Sequence, residues 1–309
     1  MKDFLIGYCR EFGFPEEDER ILCDLYDRIF AAPELKKQFT VTLNTLSGEE
    51  DYDRYHHSKM LPPIAEKLGV HVYTVYLLFY IVAGKSLRER YLKLGLPEQI
   101  YHDSIADVYY KYRQCKIVYG IPGLFTEGWH SRFFVPDRYK LGRLQFELNT
   151  YDRDIEYKGL KRGDPVIGIH IPESGEPFDK ETRFDSYKRA YEFYLKLNPA
   201  KFPDGRMGFC TDSWLLFPEH RKFLKGCPNV LSFMDDFDIL DWRYAEHNGD
   251  LWRIFGTMSQ DLADFPAKTS MQRSYLDYMR GGGVPGTAFG IFMVEGPEYF
   301  DRSHFQNEI

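Results

Sequence analysis

Three short runs of this 309-residue sequence carry side chains able to move protons or hold anions. In Val166-Ile-Gly-Ile-His-Ile171 a histidine interrupts an apolar alternating run, on the face opposite Ile167, Ile169 and Ile171. At the end of a strand His170 suits a general base. A structural histidine bonded to backbone is the alternative. Leu141-Gly-Arg-Leu-Gln-Phe-Glu-Leu148 alternates with the period of a half-buried strand, and its polar face presents Glu147. That carboxylate suits a base acting through water or a holder for a cationic amine, and a plain surface carboxylate is the alternative. Cys210-Thr-Asp-Ser-Trp-Leu-Leu216 offers a thiol, a carboxylate, a hydroxyl and an indole in succession. Read as a strand, it places Cys210, Asp212 and Trp214 on one face and Thr211 with Ser213 on the other. Trp214 walls a channel or fills a core in this reading, and Ser213 or a tyrosine is the candidate proton donor to a leaving group.

Anion capture at a helix start needs free backbone N–H groups, close approach and positive charge. The turn Pro172-Glu-Ser-Gly-Glu-Pro177 supplies Ser174 and Gly175 ahead of a helix capped by Asp179, and Lys180, Arg183, Lys188 and Arg189 follow. Glu173 and Glu176 oppose an anion there, so a plain turn with a solvated basic face stands beside the binding reading. Cys210 activated by His170 is a second catalytic reading, giving a hydrolase or ping-pong transferase, but the surrounding residues lack a nucleophile-elbow pattern. No metal is expected. His56 and His57 point different ways on a helix, Asp53 with His57 is a single pair, and His170 with Glu173 is another. The Gly281–Gly283 run follows a helical stretch and reads as its cap and loop, not as a phosphate cradle.

These runs need positioning elements. Residues 1–128 read as an all-helical domain. Ile21, Leu22, Leu25, Tyr26, Ile29 and Phe30 recur at one-face helical spacing after Pro15, and further helices are expected from Pro33 and Pro97. Val72–Ala83 is apolar on every side, as a buried helix is, with Gly84 expected to interrupt it. Residues 129–309 read as a mixed α/β domain. A strand at Val166–Ile171 is antiparallel to Leu141–Leu148, a helix carries Phe184, Tyr187, Ala190, Tyr191 and Tyr194, and a parallel strand follows at Phe209–Leu216. The remaining expectations are a short helix from Pro218, a strand near Asn229–Asp241, a hairpin to Asp250–Gly256, a helix at Thr269–Arg280 and a last strand at Thr287–Val294. The fold class is α+β.

Composition bounds the function. A chain of this length suits two domains, and 43% apolar with 17% aromatic residues supports a substantial core. Forty basic against forty-seven acidic side chains, a net charge of −7, argue against nucleic-acid binding. The longest apolar run is shorter than the roughly 20 residues of a membrane span, and the N-terminus lacks a signal layout, so a cytoplasmic protein without a membrane partner is expected. Five widely spaced cysteines read as free, mostly buried thiols.

The runs Leu141-Gly-Arg-Leu-Gln-Phe-Glu147, Ile169-His-Ile-Pro-Glu-Ser-Gly175 and Cys210-Thr-Asp-Ser-Trp-Leu-Leu216 resemble the bacterial acyltransferase-like family with a helical N-acyltransferase N-terminal domain and a GNAT-like C-terminal domain. The resemblance implies an antiparallel meander, a strand ending at an acyl-CoA site, a helix whose N-terminus receives pyrophosphate, and a neighbouring strand that splays away. It implies acyl-CoA as cosubstrate and direct transfer of the acyl group to an amine of a small molecule or peptide. His170, Glu147 and Ser213 would then be catalytic. Ile171, Ser174, Gly175, Lys180 and Arg183 would hold CoA, and Glu173, Cys210, Asp212 and Trp214 would face substrate. The usual GNAT phosphate-loop pattern is missing after Ile171, which keeps a non-catalytic ligand- or partner-binding protein as the alternative.

Overall fold

The computed structural model describes residues 1–47, 56–134, 138–245 and 249–301; Asp53 and the side chain of His56 lie outside them. The chain divides into two compact units, Met1–Tyr139 and Lys140–Ile309.

The first unit is helical: α1 (Lys2–Glu11), α2 (Glu16–Ala31), α3 (Pro33–Ser47), α4 (His56–Met60), α5 (Pro62–Leu68), α6 (Val72–Lys93), α7 (Glu98–Tyr119) and α8 (Glu127–Phe134). Pro15 precedes α2, whose first turn holds Glu16, Glu17, Asp18 and Glu19, acids that complement the positive end of a helix. Every residue from Val75 to Ala83 is buried. Gly84 does not interrupt α6 as expected; the helix runs on to Lys93. A Cβ at Gly84 would lie 3.0 Å from Ile105 Cδ1, so the missing side chain admits α7 rather than ending a helix. Tyr8 donates its hydroxyl to the Ile105 carbonyl at 2.9 Å, tying α1 to the same place. His130 Nε2 lies 3.1 Å from Asp107 Oδ2, both buried, and burial pushes the imidazole pKa down. Among the described residues no single helix is long and apolar enough to cross a membrane.

The second unit is built on a six-stranded sheet in the order β1-β2-β3-β4-β6-β5. Its strands are β1 (Arg138–Leu141), β2 (Leu144–Thr150), β3 (Pro165–His170), β4 (Met207–Ser213), β5 (Asp238–Tyr244) and β6 (Gly286–Val294). Leu141–Leu148 is therefore a hairpin and not one strand. Gly142 takes φ +71°, and its turn is held by the Arg143 N–H donating to Ser186 Oγ at 2.6 Å. Helix α9 (Lys180–Leu197) crosses from β3 to its parallel neighbour β4. Asp179 caps it, accepting from the Thr182 N–H at 2.9 Å. Tyr187, Ala190, Tyr191 and Tyr194 are its buried face, and Tyr194 donates to the Phe146 carbonyl at 2.8 Å. Beneath α9 the rings of Phe209 and Phe292 stack at 5.2 Å.

Further along, three expectations need correction. The stretch expected as a strand near Asn229–Asp241 is α11 (Pro228–Met234) followed by β5; Pro228 takes a first-turn helix position, where its missing N–H costs nothing. The hairpin expected to Asp250–Gly256 is α12 (Leu251–Phe255), closed by Gly256 at φ +68°. The strand drawn through Leu216 stops at Ser213, and Trp214–Leu216 form a 3-10 turn. Helices α10 (His220–Phe223) and α13 (Ser270–Arg280) follow the sequence reading, α13 with a capping box between Thr269 and Gln272.

Candidate functional site

The two parallel strands are joined only in part. Val166, Ile167 and Gly168 pair with Gly208, Phe209 and Cys210, and the pairing ends there. Beyond this point β3 continues against β2 as far as His170↔Gln145, and β4 continues against β6 as far as Ser213↔Ala288. The edges of Ile169–Ile171 and Thr211–Ser213 that face each other are thus not laddered together. Such an opening offers backbone N–H and C=O groups to an extended ligand.

Alternation and register place Gln145, Glu147 and Asn149 of β2, Gly168 and His170 of β3, and Cys210 and Asp212 of β4 on one face of the sheet. There the structure brings together two of the expected residues: His170 Nε2 is 3.0 Å from Glu147 Oε1. The Glu147 side chain is 7% exposed and that of His170 23%; the carboxylate is shielded, and the His170 Nε2 that faces it is buried while the rest of the ring is partly exposed. Two residues that the sequence reading passed over complete the arrangement. Asn149 Nδ2 donates to the same Glu147 oxygen at 3.1 Å. Gly168, the register partner of Glu147, leaves the space: a Cβ there would lie 2.9 Å from Asn149 Nδ2 and 3.3 Å from Glu147 Cγ. A polar residue two positions after Glu147 and a glycine within an apolar run were the available signals.

The turn after β3 is held from beneath by two cations. Arg143 donates through Nη1 to the Pro172 carbonyl at 2.8 Å and through Nε to the carbonyls of Glu176 and Pro177 at 3.2 and 3.1 Å. Lys140, buried, pairs with Glu176 at 2.9 Å. Burial alone would raise the Glu176 pKa, but Ser174, Lys140 and Arg143 together hold it below its ordinary value. Gly175 takes φ +79°, and Ser174 Oγ accepts from the Glu176 N–H at 3.3 Å. Ile171 is half-buried where β3 ends; Glu173 and Lys180 are exposed. Arg183 is not where the sequence reading put it. Its side chain is fully buried, donating to Asp236 at 2.7 and 3.2 Å, to Ser232 Oγ at 3.0 Å and to the Phe178 carbonyl at 3.2 Å. It fastens α9 and is withdrawn from any phosphate.

Strand β4 carries the remaining candidates. Cys210 sits in an apolar cluster with Tyr151, Tyr157, Val166, Phe289, Ile291 and Met293. Burial, reinforced by Asp152, pushes its thiol up to about 12, so thiolate is scarce at neutral pH. Asp212 accepts from Arg153 at 3.1 Å, from Arg243 at 3.1 Å and from Thr287 at 3.0 Å. Ser213 faces away from the Glu147–His170 pair, and its Oγ accepts from the Leu215 N–H at 3.2 Å as the cap of the 3-10 turn. Trp214 does not share a strand face with Cys210. It lies in that turn, where it lines a cavity of about 90 Å³ together with Tyr275, Ile254 and Thr287. Beneath it His220 is fully buried against the Tyr275 hydroxyl, and burial lowers its pKa to about 4. Among the described residues no group of three or more His, Cys, Asp or Glu side chains is placed to hold a metal ion.

Residues 138–292 match the family described as GNAT-like C-terminal domain, and residues 3–135 match the N-acyltransferase N-terminal domain. The chain belongs to this two-domain acyltransferase-like family. No curated protein sequence shows significant similarity to it. Among solved structures, a mutant acyltransferase in complex with octanoyl-CoA is similar at 20% identity and a TM-score of 0.73, covering 92% of this chain and 86% of the other. An acyltransferase in complex with decanoyl-CoA and teicoplanin is similar at 19% identity and a TM-score of 0.70, covering 93% and 86%. At such identity the likeness is one of fold. Within the family's GNAT-like domain, β3, the turn, α9 and the splayed β4 follow the order that the sequence resemblance implied.

Proposed function

We propose that the protein is an acyl-CoA-dependent N-acyltransferase that passes an acyl group directly from a CoA thioester to an amine. The observation that carries this reading is the parting of β3 from β4 after Gly168 and Cys210, beside the Glu147–His170 pair. Family membership supports it, as do the CoA thioesters and the teicoplanin bound in the similar solved structures. An amine on a small molecule or a peptide is the matching acceptor class.

In this reading the opening between Ile169–Ile171 and Thr211–Ser213 receives the thioester arm. Ser174 and Gly175 offer backbone to the phosphates at the start of α9, with Lys180 as the nearby cation. The amine nitrogen attacks the thioester carbonyl, the new C–N bond forms, and the C–S bond breaks. Glu147, with His170 beside it, accepts the proton the amine loses, directly or through water. The departing thiolate takes a proton back from the Glu147–His170 pair, directly or through water, before CoA leaves, so that the pair ends the cycle as it began. Ser213 is poorly placed for that step, since strand alternation puts its hydroxyl on the face of the sheet opposite the Glu147–His170 pair. A Cys210 acyl-enzyme is disfavoured because the buried thiol holds its proton.

Calorimetric titration with acetyl-, octanoyl- and decanoyl-CoA and with free CoA tests the reading. Saturable binding by at least one of the acyl-CoAs and by CoA is expected. Absence of binding by all four would overturn it and favour the partner-binding alternative.

A further inference from the structure

The geometry points to Asn149 as a positioning residue that fixes Glu147 against His170, in space kept open by Gly168. The inference rests on the reading of Glu147 and His170 as the proton-handling pair, and it concerns how that pair is held.

Glu147 is buried in mid-strand, and a carboxylate there must be met by donors or it gives up its charge. The amide of Asn149 and the imidazole of His170 both converge on Oε1, at 3.1 and 3.0 Å. Asn149 and Glu147 are two apart on the same strand, so their side chains rise on the same face as neighbours. His170 is reached diagonally, because its own register partner is Gln145. A carboxylate that must lean across the ladder to a diagonal neighbour needs its direction fixed, and the Asn149 N–H does this from the other side. The lean is possible because residue 168, between Glu147 and Cys210 in the register, has no side chain. A methyl group there would press on Asn149 Nδ2 and on Glu147 Cγ together. Asn149 touches no reacting atom in this reading; it acts through Glu147.

The test reads His170 directly and needs no acceptor. The imidazole nitrogens are followed by NMR through a pH titration in wild type, Glu147→Gln, Asn149→Leu and Gly168→Ala. Loss of the adjacent carboxylate in Glu147→Gln is expected to lower the His170 midpoint by about one pH unit. Asn149→Leu, which keeps the size but removes the donor, is expected to lower it at least half as far. Gly168→Ala is expected to do the same by displacing both side chains. Asn149→Thr, which restores a short donor, is expected to recover part of the shift. A midpoint unchanged from wild type in both Asn149→Leu and Gly168→Ala would overturn the inference, and should either variant fail to fold, the other decides alone. Failure of the catalytic reading looks different: Glu147→Gln would move the His170 midpoint and leave acyl transfer intact.

Discussion

Strand β4 has one closed edge and one open edge, and the two are built from different materials. Against β6 it is laddered over its whole length, from Met207↔Val294 to Ser213↔Ala288. Against β3 the ladder stops at Gly168↔Cys210. A glycine lies near each edge, and what fills the space it leaves differs. At Gly290 on β6 a Cβ would meet Leu216 Cδ1 at 2.5 Å and Phe237 Cβ at 2.9 Å, so the vacancy is packed with apolar core. At Gly168 it is filled by the ends of Asn149 and Glu147, both hydrogen-bonded. The closed edge uses glycine for density, and the open edge uses it to seat polar groups.

The largest expected effect lies on the closed side. Arg183→Met leaves Asp236 buried without its cation, and the expected loss is about 3–5 kcal/mol in urea unfolding. A loss below about 1 kcal/mol would show that α9 is not anchored through this pair. The two glycines give the next test. Gly290→Ala forces core atoms apart and is expected to cost about 1–3 kcal/mol. Gly168→Ala meets side-chain ends that can yield and is expected to cost under about 1 kcal/mol, while still shifting the His170 titration. Equal destabilisation by both would erase the distinction between the edges.

A buried histidine of this unit sharpens it through pH. His220 is pushed by burial from 6.5 to about 4, so the unfolded chain takes up a proton where the folded one does not. Its contribution is present above pH 6.5 and is lost as pH falls toward 4. Between pH 7 and pH 5 the loss should be about 2 kcal/mol. His220→Gln, which keeps a partner for Tyr275, should flatten that part of the stability profile; an unchanged slope would mean His220 is not held neutral. The smallest effect is expected at the junction itself: with transfer direct, Cys210→Ala should keep thioester turnover within about threefold of wild type. Loss of all turnover in a folded variant would restore the acyl-enzyme route.

Much of this was legible in the residues. Alternation in Leu144–Leu148 and the apolar run ending at His170 gave the strands and faces of the Glu147–His170 pair, because period-two burial is local information. The helical unit was equally plain, since the Val72–Ala83 stretch of α6 is apolar all round. Short elements were not. Leu251-Trp-Arg-Ile-Phe255 and Pro228-Asn-Val-Leu-Ser-Phe-Met234 are too brief for periodicity to separate a helix from a strand. Arg183 resembled its basic neighbours Lys180, Lys188 and Arg189, and only its partner Asp236, 53 residues away, distinguishes it. Trp214 left its expected face because Ser213 caps a turn there, a choice between strand and 3-10 geometry that alternation does not register. Asn149 and Gly168 were visible as residue types, but their meaning depends on the register between two strands.

The turn after β3 is tethered before anything touches it. Arg143 holds the carbonyls of Pro172, Glu176 and Pro177, and Lys140 holds the carboxylate of Glu176. A loop so restrained at both of its ends has little configurational freedom left to surrender. For the CoA binding proposed above, a preorganised turn lowers the ordering cost of association and makes affinity depend on the match to a fixed backbone.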